Sequence, residues 1–61
     1  MIIKLTECLK NGATSCDEIF VNTDHICAMR RLDAATEIRM SNSIVSVYVV
    51  ESPHEIVVMK S

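Results

Sequence analysis

The sequence predicts a small, mostly β, α+β domain: about five short, mainly antiparallel strands and one short C-terminal helix. Three observations carry this. Apolar and β-branched residues recur with a period of two in several short runs. Clusters of Asn, Asp, Ser and Gly separate those runs, as turn residues do. A complete helix-capping pattern, Ser52-Pro53-His54-Glu55, opens the final segment.

The first run is Ile2-Ile3-Lys4-Leu5-Thr6, with Ile3 and Leu5 on one face and Ile2, Lys4 and Thr6 on the other. Residues 7–17 are polar and contain the only glycine, in Asn11-Gly12, the strongest hairpin-turn dipeptide present. They predict a loop, longer than a two-residue turn, that folds the first strand back onto the second. Glu18-Ile19-Phe20-Val21 is that second strand, with Ile19 and Val21 sharing a face. Phe20 is expected in the core. Asn22-Thr23-Asp24 interrupts the pattern, and residues 25–32 resume it. Ile26 and Met29 are three apart, which breaks strict alternation; a bulge or one helical turn near residues 24–27 reconciles them.

Asp33-Ala34-Ala35 is a short turn. In Thr36-Glu37-Ile38-Arg39-Met40 the alternation is clean, with Thr36, Ile38 and Met40 on one face. Ser41-Asn42-Ser43 is the next turn. Residues 44–50 form the most β-branched stretch, with Val45, Val47 and Val49 facing one way and Ile44, Ser46, Tyr48 and Val50 the other. Apolar residues on both faces predict a central or covered strand. Ser52 then suits the N-cap, Pro53 the first helical position, Glu55 the reciprocal cap and Lys60 the C-terminal end. Ile56-Val57-Val58-Met59 is a poor helix former. The caps and Pro53 favour a helix there, with a closing strand as the alternative.

The chain of 61 residues is read as one domain, residues 1–61. A domain of this size buries only about 60% of its unfolded surface. It must pack well, be stapled or associate. With 49% hydrophobic and 23% charged residues, the composition is that of a folding chain. The net charge of −2 and pI near 5.5 disfavour generic polyanion binding. No apolar run approaches the roughly 20 residues of a membrane span, and Met1-Ile2-Ile3-Lys4 lacks the features of a signal peptide. A cytoplasmic protein with no membrane association is expected. Three cysteines would leave one outside any disulfide pairing. The candidate metal ligands are Cys8, Cys16, His25 and Cys27. Seven and eight residues separate the first three, without the C-x-x-C knuckle that aims two thiolates at one ion. No metal or other cofactor is therefore expected. Neither His25 nor His54 has the partners of a catalytic base, so no enzymatic activity and no small-molecule substrate are expected either.

Across nearly its whole length the chain resembles the small flagellar and swarming-motility proteins of the FlbD type. The matching pieces are Met1-Ile2-Ile3-Lys4-Leu5-Thr6, Asn22-Thr23-Asp24-His25-Ile26 and Val50-Glu51-Ser52-Pro53-His54-Glu55-Ile56. The chain differs from that pattern at Ser41-Asn42-Ser43, where the family usually carries Asn-Gly, and in its cysteine-containing segment, residues 7–17. Small proteins of this shape also resemble bacteriophage products. A second, local resemblance is to the C-terminal half of LytTR-type DNA-binding domains, through Val21-Asn22-Thr23-Asp24-His25-Ile26. The first resemblance implies a small regulatory or accessory protein; the second implies contact with DNA.

Arg30, Arg31 and Arg39 are the residues a DNA-binding regulator would use. Six cations scattered among eight acids supply few phosphate contacts, and the two aromatics cannot form a stacking platform, so nucleic acid is the lesser reading. The apolar content speaks for the other. Ile2, Ile44, Tyr48, Val50 and the apolar residues Ile56 to Met59 exceed what one small core can hold, and Ile44, Tyr48, Val50, Ile56 and Met59 are the interface candidates among them. They are expected to form a protein interface through which the chain associates with itself, as a dimer or higher oligomer, or with another protein.

Overall fold

Five antiparallel strands form one sheet, and a single short helix packs at its C-terminal end. The structure, a computed structural model, describes residues 1–9 and 14–59, with the backbone alone for residues 14–16. The strands are β1 (Ile2–Cys8), β2 (Thr14–Asn22), β3 (Ile26–Arg31), β4 (Thr36–Met40) and β5 (Val47–Val49), followed by α1 (Pro53–Met59). The predicted fold class and the order of its elements are those observed. Asn11-Gly12 and Lys60 lie outside the described residues.

Chain connectivity makes two hairpins, β1–β2 and β3–β4, and the sheet order β2-β1-β5-β4-β3 seats β5 between them. β5 is thus central, as its two apolar faces predict. It is also short: Val47–Val49 pair with Thr36–Ile38, and Val49 alone with Glu7. The expected strand over residues 44–50 is therefore corrected to three residues. Ile44 and Val45 stand in the preceding loop, where Ser43 Oγ accepts a hydrogen bond from Val45 N–H at 3.2 Å and holds the chain in a local turn. The polar loop expected over residues 7–17 is shorter than read, because β1 extends to Cys8 and β2 begins at Thr14.

One face of the sheet carries the core. Ile3, Leu5, Val21, Ile38 and Val49 are buried there with Ile56 of α1, and Ile19, Ile26, Met29, Met40 and Val47 pack around them. These are the faces that alternation predicts for Ile3 and Leu5, for Ile19 and Val21, and for Ile38 and Met40. Both devices offered for the Ile26/Met29 spacing are present. A single 3-10 turn covers Thr23–His25, capped by Asn22, whose Oδ1 accepts from Asp24 N–H at 3.0 Å. The β3–β4 register then shifts between Ile26 and Ala28. Thr23, buried, ties this turn to the chain start: its N–H and its hydroxyl both donate to the Met1 carbonyl, at 2.8 and 3.1 Å.

A polar cluster fastens the β5–α1 junction. The Glu51 carboxylate accepts from Thr6 N–H at 2.9 Å and from Thr6 Oγ1 at 3.0 Å. The buried Thr36 hydroxyl donates to the Glu51 carbonyl at 2.6 Å and accepts from Arg31 Nη1 at 3.1 Å. One residue on, the capping box closes: Glu55 N–H donates to Ser52 Oγ at 3.2 Å, and Ser52 N–H donates to Glu55 Oε1 at 3.1 Å. Residues 56–59 are helical despite their β-branched character, so the alternative closing strand is excluded.

Candidate interaction surface

The five residues assigned to an interface separate in three dimensions. Ile44 is fully exposed at the tip of the β4–β5 loop, with Val45 beside it at 67% exposure. Tyr48 is half-buried on the sheet face opposite the core, across from Glu37. Val50 and Met59 are exposed near the helix. Ile56 is corrected: at 0% exposure it is the helix's anchor in the core and belongs to no surface. Its neighbours Val57 and Val58 face outward instead.

Phe20 is the second correction. Expected in the core, it is 67% exposed on the open sheet face, opposite Lys4 and diagonal to the exposed Ile2. Placing Ile19 and Val21 on the core face already obliges Phe20 to point the other way, because successive strand side chains alternate. Ile2, Val57 and Val58 are exposed, in keeping with the apolar surplus read from the sequence, whereas Phe20 and Val45, expected in the core, are exposed as well; for Phe20 strand parity is the available signal.

Ile44 and Val45 line a shallow groove of about 470 Å³ together with Cys27 and Ala28 of β3, Arg39 and Met40 of β4, and Ser43. Its lining mixes apolar and hydroxyl groups around one guanidinium. Its ionisable side chains are the Cys27 thiol and the Arg39 guanidinium.

Arg30 and Arg39 share the open face, where they line one hollow with Glu37, and Arg31 stands apart from them. Adjacent residues on β3 point to opposite faces. Arg30 lies on the open face, ion-paired with Glu37 at 2.8 Å. Arg31 turns to the core side, where it donates to Thr36 Oγ1 and, at 3.1 Å, to the Val50 carbonyl. Arg39 is exposed at the groove. Glu37 also accepts from Ser46 Oγ at 2.9 Å, and this hydroxyl, followed by Arg30, holds its carboxyl below the usual range.

Cys8 lies apart from Cys27 and His25. Cys8 is buried at the end of β1; burial, then the nearby Glu51 charge, pushes its thiol up. Cys27 is exposed on β3. Three strand spacings separate β1 from β3, on the order of 14 Å. His25 Nδ1 lies 3.3 Å from Ser41 Oγ. Among the described residues no group of three or more His, Cys, Asp or Glu is placed to hold a metal; the Cys16 side chain lies outside the described set. Among the same residues no helix is long and apolar enough to cross a membrane.

Comparison with known protein families, curated proteins and solved structures returns no match.

Proposed function

We propose that this chain is a small non-catalytic interaction module, regulatory in role, that works by apolar contact with a second copy of itself or with another protein. One observation carries the reading. Among the described residues, ten large apolar side chains, including Ile2, Phe20, Ile44, Val45, Val57 and Val58, stand exposed, against six residues in the core cluster. Each aliphatic side chain left wet forfeits about 1.5–3 kcal/mol of burial. Several together rival the whole stability of a domain this small. The resemblance of its motif order to that of FlbD-type proteins supports the same reading.

Exposed Ile44 and Val45, which line the groove with Ala28 and Met40, give such a contact an apolar footing. Sedimentation equilibrium at micromolar concentration tests self-association, and a photo-crosslinking residue placed at position 44 in the native host tests a heterologous partner. A dimer or a discrete adduct is expected. A strict monomer that also yields no adduct overturns the proposal.

A further inference from the structure

The sheet has two outer edges, β2 and β3, and they are built differently. β3 has six residues, a register shift between Ile26 and Ala28, and a terminal Arg30-Arg31 pair. Bulges and charged side chains of this kind keep an edge from pairing with another chain. β2 has nine residues and no proline; its register against β1 shifts between Glu7 and Cys8, at its start, and is unbroken from Asp17 to Asn22. Its centre is the β-prone Ile19-Phe20-Val21, and Phe20 is the most exposed aromatic side chain among the described residues.

The hydrogen-bond phase of β1–β2 shows which backbone groups face that edge. Thr23 N–H donates to Met1 C=O at 2.8 Å. Antiparallel alternation then directs the backbone groups of Val21 and Ile19 toward β1, and those of Phe20 and Glu18 outward. The far side of β1 agrees. Thr6, opposite Glu18, accepts from Val50 N–H at 2.9 Å and donates to Glu51, so its backbone is turned away from β2.

We propose that two copies of this chain pair antiparallel along their β2 edges, with Phe20 opposite its counterpart in the second copy. The inference rests on the proposed contact function and commits it to one partner and one surface. Outward-facing residues must pair with outward-facing residues, which leaves few registers. A two-fold axis at Glu18 sets carboxylate against carboxylate, and like charges directly opposed destabilise a sheet. An axis at Ile19 sets Glu18 against Phe20. An axis at Phe20 sets Glu18 against Asn22, Ile19 against Val21, and ring against ring. This last register is self-complementary. Asn22 commits its side-chain oxygen to Asp24 N–H, which leaves its amide NH2 to face Glu18 of the second copy. Ile19 and Val21 meanwhile extend the core face across the junction, and the aromatic pair is of the kind that stabilises facing strands.

Amide hydrogen exchange by NMR on the full chain, at high concentration and after dilution, is the direct test, run beside sedimentation equilibrium. A dimer is expected. On dilution the Glu18 and Phe20 amides lose protection, while those of Ile19 and Val21 keep theirs. Phe20→Lys, which opposes two cations at the axis, is expected to weaken the dimer at least about 100-fold with Ile19 and Val21 still protected. Phe20→Thr, a strand former without the ring, is expected to weaken it about tenfold. A dimer whose Glu18 and Phe20 amides exchange freely, or one indifferent to Phe20→Lys, overturns the edge pairing and leaves contact through another surface standing. A monomer at every concentration also overturns it and passes the contact reading to the crosslinking experiment.

Discussion

Two consecutive segments make opposite use of similar residues. Residues 44–50 are the most β-branched of the chain, yet Ile44 and Val45 remain outside the sheet and only Val47–Val49 pair. Residues 53–59 contain Ile56-Val57-Val58, equally suited to a strand, yet form a helix whose Ile56 is wholly buried. Propensity does not separate them; short-range polar side chains do. Ser43 bonds the backbone two residues ahead and Ser46 bonds Glu37, which hold the first segment in a loop until residue 47. Ser52 and Glu55 cap each other and start a helix where Pro53 removes a ladder donor. A few hydroxyls and carboxylates thus decide which β-branched residues are buried.

The largest effect expected from this contrast compares the two isoleucines. Ile56→Ala opens a cavity beneath the helix and should cost about 2–5 kcal/mol. That approaches the total stability of roughly 3–9 kcal/mol expected for a chain of this length. Ile44→Ala, at a fully exposed site, should stay within about 0.5 kcal/mol. Urea titrations of both variants provide the check. Comparable losses would mean that Ile44 is buried in solution.

Next in size is the junction between the segments. Glu51→Ala leaves Thr6 N–H and Oγ1 without their acceptor in a half-buried site and should cost about 1–3 kcal/mol. Thr36→Val, which keeps the shape and removes the hydroxyl, should cost a similar amount by leaving the Glu51 carbonyl without its donor. The two together should cost less than their sum, since both act on one network. Strict additivity in a double-mutant cycle would show that the two anchors work independently.

Legibility in the sequence tracks the range of the interaction. The cap at Ser52 and Glu55, the Asn22 turn and the alternation of Ile3, Leu5, Ile38 and Met40 are settled within a few residues, and each can be read directly. The seating of β5 between two hairpins depends on contacts 40 or more residues apart, such as Thr6 with Glu51. No local pattern announces it. Ile56 is misplaced by the sequence for the same reason, because its burial needs knowledge of where the helix lies on the sheet. Phe20 and the Arg30/Arg31 pair are different. Strand parity alone sends Phe20 to the open face and divides the two arginines, whereas hydrophobicity and adjacency in the chain point the wrong way for both.

The smallest expected effects concern the capping box and the pH at which it opens. Ser52→Ala removes the hydroxyl that accepts Glu55 N–H and should cost about 1 kcal/mol. The Glu55 carboxyl is held below its ordinary range, first by the Ser52 backbone N–H and then by the Ser52 side chain. A carboxyl with a depressed folded pKa stabilises the fold above its unfolded pKa, and that contribution is lost as pH falls through the folded value. Acid should therefore loosen the start of α1 only below the usual carboxylate range. In Ser52→Ala the Glu55 pKa should rise part of the way back, because the backbone donor remains. Glu37 supplies the contrast. Its lowering comes first from the Ser46 hydroxyl and then from the exposed Arg30 pair, so added salt should raise it more than it raises Glu55. Carboxyl-carbon NMR titrations at two ionic strengths read all of these shifts. A Glu55 that titrates at its ordinary value would show the box open in solution, and would leave the helical state of residues 56–59 resting on the burial of Ile56 alone.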